Sequence, residues 1–158
     1  MDATNGTVRM DTQFSVFLAN KPGVLAHVCR QLADDKVNII AMCLMDSTEH
    51  GVLRLVTGNL GQTRESLKSL NLPTTESKVI IATLPNRPGA LSDVVERLGT
   101  SHVSVNYAYV TTGAPGGKTV GVLSVSDPQK ASKLLTERMV RRRNDSGGNR
   151  TSPPARRR

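Results

Sequence analysis

The stretch Asn20-Lys21-Pro22-Gly23-Val24-Leu25 returns 66 positions later as Asn86-Arg87-Pro88-Gly89-Ala90-Leu91. Apolar positions downstream keep the same offset: Val28 with Val94, Leu32 with Leu98, Val37 with Val103 and Ile39 with Val105. After the next turn the offset becomes 67, pairing Leu55 with Val122 and Val56 with Leu123. One extra residue in Thr112-Gly113-Ala114-Pro115-Gly116-Gly117-Lys118 accounts for the change. Agreement at spaced apolar positions beyond a short turn marks an internal repeat, so one small fold occurs twice.

Each copy reads alike. Phe14, Val16 and Leu18 alternate as a half-buried strand, as do Val79, Ile81 and Leu84. Pro22 and Pro88 lack the N–H a ladder needs and end those strands, while Gly23 and Gly89 open backbone angles closed to other residues. Helical spacing follows at Val24, Leu25, Val28 and Leu32, echoed by Ala90, Leu91, Val94 and Leu98. Two strands come next, Val37 to Met45 and Val52 to Thr57, then Val103 to Val110 and Thr119 to Val125. A second helix is predicted from about Gln62 to Leu70, and in the second copy from the cap Asp127 and first-turn Pro128 to about Met139. A last strand near Thr75 to Lys78 runs into Val79 to Leu84.

This order is α+β: two tandem ferredoxin-like βαββαβ units, antiparallel sheets with the helices on one face. The units span residues 12–77 and 78–140. The second lacks an evident last strand, because nothing after Met139 alternates. Residues 1–12 are polar and read as a loose lead-in.

The formal charge of +8 belongs mainly to the C-terminus. Residues 1–140 hold 14 Lys and Arg against 12 Asp and Glu, whereas residues 141–158 hold 7 Arg against Asp145 alone. The Arg-rich segment 141–158 has no aliphatic run to bury and reads as a disordered tail. Its charge suits RNA, DNA or an acidic partner, but the favoured reading is a solvated extension with no specific role, and the aromatics a nucleic-acid platform uses for stacking are few. Phe14, Phe17, Tyr107 and Tyr109 all fall within predicted strands, so nucleic acid is a disfavoured partner. No long apolar stretch or signal segment is present, so no membrane partner is expected and the expected location is cytoplasmic.

The usual catalytic patterns are missing. Cys29 and Cys43 give no disulfide framework and read as buried free thiols. His27, His50 and His102 have no neighbour at metal-ligand spacing. The glycine-rich Gly113 to Lys118 lacks phosphate-loop spacing and reads as a hairpin loop. Asp34 and Asp35 are adjacent on a helix and point different ways. No cofactor and no enzymatic activity are expected.

The turn and the strand that follows its helix carry a resemblance. With Asn20-Lys21-Pro22-Gly23-Val24-Leu25 before Val37-Asn38-Ile39, and Asn86-Arg87-Pro88-Gly89-Ala90-Leu91 before Val103-Ser104-Val105, the chain resembles the ACT family of small-molecule regulatory domains over roughly residues 12 to 138. The resemblance implies an amino acid bound between two units. In the serine-sensing ACT domain of phosphoglycerate dehydrogenase, an asparagine of this turn and another at strand two hold the ligand, matching Asn20 and Asn38 here. The second copy keeps Asn86 but offers the shorter Ser104. A histidine two residues before the turn asparagine is replaced by Leu18 and Leu84, which implies a more apolar site.

Physical chemistry supports the same place. Amides and the dipole at a helix N-terminus suit a carboxylate, and an Asn side chain can both donate and accept. Asn20, Pro22, Gly23, Val24, Leu25, Asn38 and Ile39 are the candidates in the first copy, with the Gly23 and Val24 amides beside Asn20 and Asn38 as the better site. Asn86, Pro88, Gly89, Ala90, Leu91 and Ser104 are their counterparts. The other role open to Asn20 and Asn86 is holding the turn through bonds to its backbone. The expected function is an amino-acid-binding regulatory protein, homodimeric or joined to an enzyme of amino-acid metabolism. The alternatives are an interaction subunit of an amino-acid-metabolism enzyme with no ligand of its own and, further behind, a nucleic-acid binder acting through the Arg-rich tail.

Overall fold

A computed structural model describes residues 7–45, 50–112 and 118–145. The elements run β1 (Thr7–Ala19), α1 (Val24–Asp34), β2 (Ile39–Met45), β3 (His50–Thr57), α2 (Leu60–Ser69), β4 (Thr74–Pro85), α3 (Ala90–Thr100), β5 (Val105–Thr112), β6 (Lys118–Val125) and α4 (Pro128–Asp145). One antiparallel sheet holds all six strands in the order β2-β3-β1-β4-β6-β5.

The two central strands join the repeats. β1 pairs with β4 over ten positions, from Thr7↔Thr83 to Val16↔Thr74, and with β3 from Phe14 to Ala19. The second half of β4 pairs with β6. Each long strand is thus the first strand of its own unit and the last strand of the other. Two sequence expectations are corrected here. Thr7–Thr12 is not a loose lead-in but strand, and it fills the place of the last strand that the second unit seemed to lack. The signal was an alternation of Val8 and Met10 with Thr7, Arg9 and Asp11, too polar to stand out.

The helices lie on one face. Register sets Met10 opposite Ile80, so the even-numbered positions of β1 and β4 share that face. Phe14, Val16 and Leu18 pack there against Val28 and Leu32 of α1 and Leu67 of α2. Ile80, Ala82 and Leu84 pack against α3 and against Ala131 and Leu135 of α4. The Val79, Ile81, Leu84 alternation is corrected too: Leu84 points to the helices and Val79 and Ile81 away from them, and both faces of β4 are buried.

The sheet curls on the side away from the helices until its opposite edges, β2 and β5, approach one another. Ala41, Val56, Val79, Ile81 and Val122 form a third core there. At its centre Gln13, fully buried, donates to the Tyr107 hydroxyl at 2.7 Å and accepts from the Tyr109 hydroxyl at 3.1 Å. The Arg54 guanidinium lies 4.0 Å over the Tyr107 ring. Burial pushes the Tyr109 hydroxyl well above the usual tyrosine range, with Tyr107 and Cys43 adding to the rise, so it stays a donor.

Both first helices end identically. Lys36 and His102 adopt left-handed backbone, φ 57° and 56°. Val37 N–H then donates to Leu32 O at 2.8 Å, and Val103 N–H to Leu98 O at 2.9 Å, the six-to-one bond of a Schellman motif. Its apolar contact explains why Leu32 and Val37 recur as Leu98 and Val103. Asn59 caps α2, accepting from Gln62 N–H at 3.1 Å. Asp127 likewise caps α4, accepting from Lys130 N–H at 2.9 Å. The α4 backbone continues to Asp145, so residues 141–145 are helix and not tail; residues 146–158 lie outside the described residues, as do Asp46–Glu49 and Gly113–Gly117.

Asp35 ties α1 to α2, accepting from Gln31 Nε2 at 2.9 Å and from Ser66 Oγ at 2.6 Å. These bonds hold its carboxyl below the usual carboxylate range. A lowered folded value stabilises above the unfolded pKa and is lost as pH falls through the folded one. Asp35→Asn therefore flattens the acid side of the stability-against-pH curve, read by urea unfolding between pH 7 and 3. Removing residues 1–12 strips Lys78 to Thr83 of their β1 partners and lowers the urea midpoint sharply. Lys36→Gly relieves left-handed strain and adds about 0.5–1 kcal/mol of stability in the same assay.

Candidate functional site

The first turn is built by short-range bonds that its sequence dictates. Lys21 N–H donates to Ala19 O at 2.8 Å, Val24 N–H to Lys21 O at 3.3 Å and His27 N–H to Gly23 O at 2.9 Å. Gly23 takes φ 87°, a left-handed angle at the N-cap of α1. A side chain there is strained even though a Cβ would meet nothing within 4 Å. No side chain caps α1, and its first turn carries no acidic residue. Among the described residues the N–H groups of Gly23 and Leu25 have no hydrogen-bond partner. Val24, expected to offer its amide, spends it on Lys21 O instead.

These groups open onto a cleft of about 330 Å³. Its walls are Asn20, Lys21, Gly23, Val24 and Leu25 of the turn, Leu18 and Ala19 at the end of β1, and Leu44, Met45 and Gly51 of the facing hairpin. Register brings the hairpin there, since Leu18 pairs with Gly51 and Ala19 with His50. A Cβ on Gly51 would meet Leu44 Cδ1 at 3.4 Å and Met45 O at 3.5 Å, so glycine keeps that wall slim. Leu18 is 3% exposed and gives the floor an apolar character. Leu44 and Met45 are 47% and 48% exposed. The hairpin residues and Lys21 were missed in the sequence; only strand pairing could have placed the hairpin beside the turn.

Asn38 and Ile39 are elsewhere. Ile39 pairs with Thr57, and Asn38 O accepts from Gly58 N–H at 3.0 Å, whereas the first turn adjoins His50. The seven steps from His50 to Thr57 separate them by about 23 Å at about 3.3 Å per strand residue. The expected pairing of Asn20 with Asn38 in one site is therefore not made within a chain. Pro22 is exposed and does not line the cleft.

The second turn repeats the backbone. Gly89 has φ 82°, Arg87 N–H donates to Pro85 O at 2.9 Å, Ala90 N–H to Arg87 O at 3.3 Å and Asp93 N–H to Gly89 O at 2.9 Å. Asn86, Pro88 and Leu91 are exposed and Ala90 is buried. Ser104 stands at the far end of the second unit, its N–H on Ser126 Oγ at 3.1 Å. Cys29 and Cys43 are free and half-buried, not buried. No cluster of metal-ligating side chains occurs among the described residues, and no described helix is long and apolar enough to cross a membrane.

The chain matches the family described as the ACT domain pair over residues 9–145. It is similar to the solved structure of protein BT0572 from Bacteroides thetaiotaomicron, at 27% identity and TM-score 0.76, covering 83% of this chain and 90% of that one. Its fold is similar to the ligand-free regulatory subunit of aspartate kinase from Thermus thermophilus, at 11% identity and TM-score 0.66, covering 88% of this chain and 97% of that one. It is also similar in fold to E. coli aspartokinase III in complex with lysine and aspartate, at 12% identity and TM-score 0.54, covering 89% of this chain and 33% of that one. No curated protein matches the chain. The repeated turn, the βαββαβ order and the match across both units lead to one conclusion: this chain belongs to the ACT domain pair family.

Proposed function

We propose that the chain is a regulatory protein, without catalytic activity of its own, that binds an amino acid at the first turn. The observation that carries this reading is the open cleft at the N-terminus of α1, where Gly23 and Leu25 amides, unpaired among the described residues, meet a helix dipole whose first turn carries no acidic residue. A carboxylate is the group such an end receives. Lys21 stands at the mouth with no ion pair among the described residues. Asn20 lines the cleft and reads the ammonium or the side chain. The lysine and aspartate complex of the E. coli aspartokinase supports amino acids as the class to test first.

In this reading residues 12–77 and 78–140 are the two regulatory units and the protein works in the cytoplasm. Asn38, too far from Asn20 in its own chain, serves a ligand only across a homodimer. A second reading rests on an apolar row. Phe17 pairs with Val52, and Val52 with Met45, on the face away from the helices, with Phe17 39% and Met45 48% exposed. Such a row suits a partner enzyme of amino-acid metabolism, as the Thermus thermophilus relative is a regulatory subunit of aspartate kinase.

A thermal-shift panel of the common amino acids tests the first reading. The cognate one at about a hundred times its dissociation constant adds about 2.7 kcal/mol of stability. Lys21→Glu and Asn20→Ala each weaken that response, read as the ligand-induced shift from each variant's own unliganded Tm. No shift with any amino acid at millimolar concentration contradicts the proposal, and a strict monomer by light scattering contradicts the dimer.

A further inference from the structure

The two turns share one backbone and differ in charge. Lys21 and His27 of the first are replaced by Arg87 and Asp93 in the second. Arg87 Nη2 donates to Asp93 Oδ2 at 3.2 Å, and its Nη1 donates to Pro88 O at 3.1 Å. The guanidinium folds over the turn, with Nη1 3.8 Å from where a Cβ on Gly89 would stand, while nothing lies within 4 Å of the same point at Gly23. Asp93 is in the first turn of α3, where α1 has no acid.

We infer that the second turn is occupied by its own ion pair, so that an amino acid binds at the first turn in preference to the second. This rests on the carboxylate-binding reading proposed above. The Asp93 carboxylate already satisfies the positive end of α3 and repels a second anion brought to it. Arg87, the cation that would greet a ligand, is turned inward onto Asp93 and Pro88. The pair is half-exposed, 50% and 40%, and pairs of that kind are weak. The second turn is therefore weakened and not abolished: an end charge and an exposed pair together amount to about tenfold in affinity.

Amide NMR on the full chain tests this, titrating each of the twenty common L-amino acids in turn up to millimolar concentration and following Gly23, Leu25, Gly89 and Leu91. The expected result is saturation at Gly23 and Leu25 at about tenfold lower concentration than at Gly89 and Leu91. The double variant Arg87→Lys/Asp93→His gives the second turn the charges of the first and brings its response down to match. The reverse exchange, Lys21→Arg/His27→Asp, weakens the first turn by a similar factor. Equal responses at both turns in the natural chain, or variants that change neither, overturn the inference and leave the amino-acid reading standing. Silence at all four amides overturns both.

Discussion

The ten-residue antiparallel ladder between β1 and β4 is the constraint on which everything else depends. An isolated two-stranded ladder is marginal, but here each half of the ladder is flanked by a further strand, β3 beside Phe14 to Ala19 of β1 and β6 beside Ile80 to Pro85 of β4. Neither unit can complete its sheet without the other. The ladder also fixes where the two turns go. β1 leads into the first turn and β4 into the second, and the strands run in opposite directions. The turns therefore leave opposite ends of the sheet, separated by up to about 40 Å along the twelve steps from Thr7 to Ala19. At that distance, several screening lengths in ordinary salt, charge at one turn does not act on the other. Lys21 and His27 set the charge at one turn while Arg87 and Asp93 set a different charge at the other.

The curl of the sheet follows from what its second face carries. Val79, Ile81, Val122, Val56 and Ala41 are apolar on the side away from the described helices. Closing β2 toward β5 buries them, and a side-chain network holds the seam. Tyr107 and Tyr109 reach from the edge strand β5 to Gln13 on β1, which is not a sheet neighbour of β5. A buried glutamine left without those hydroxyls would cost about 1–3 kcal/mol, so the network specifies the closed sheet as well as stabilising it.

The repeat and its local geometry were legible in the residues. Pro22-Gly23 and Pro88-Gly89 demand a turn, and Leu32 with Val37 and Leu98 with Val103 encode the same helix end twice. What stayed hidden is long-range. Val8 and Met10 alternate with charged neighbours, and their strand character comes from pairing with Ala82 and Ile80, which are 70 or more positions away. Asn38 looks like a partner of Asn20 until the register puts it at the other end of β3. Lys21, Leu44, Met45 and Gly51 carry no motif, and the hairpin residues become part of the cleft only because β3 lies beside β1. Residues 141–145 read as tail by composition, yet the backbone of α4 extends through them.

One fold built on a shared ladder carries both turns on a single frame. Native-state amide hydrogen exchange across β1 tests that dependence most directly. If the ladder is a single cooperative element, amides paired with β4 near Thr7 to Asp11 and those paired with β3 near Phe14 to Leu18 open with the same free energy, equal to that of global unfolding. Exchange of the Thr7 to Asp11 segment at the rate of a fraying terminus, with Phe14 to Leu18 still protected, would contradict the account.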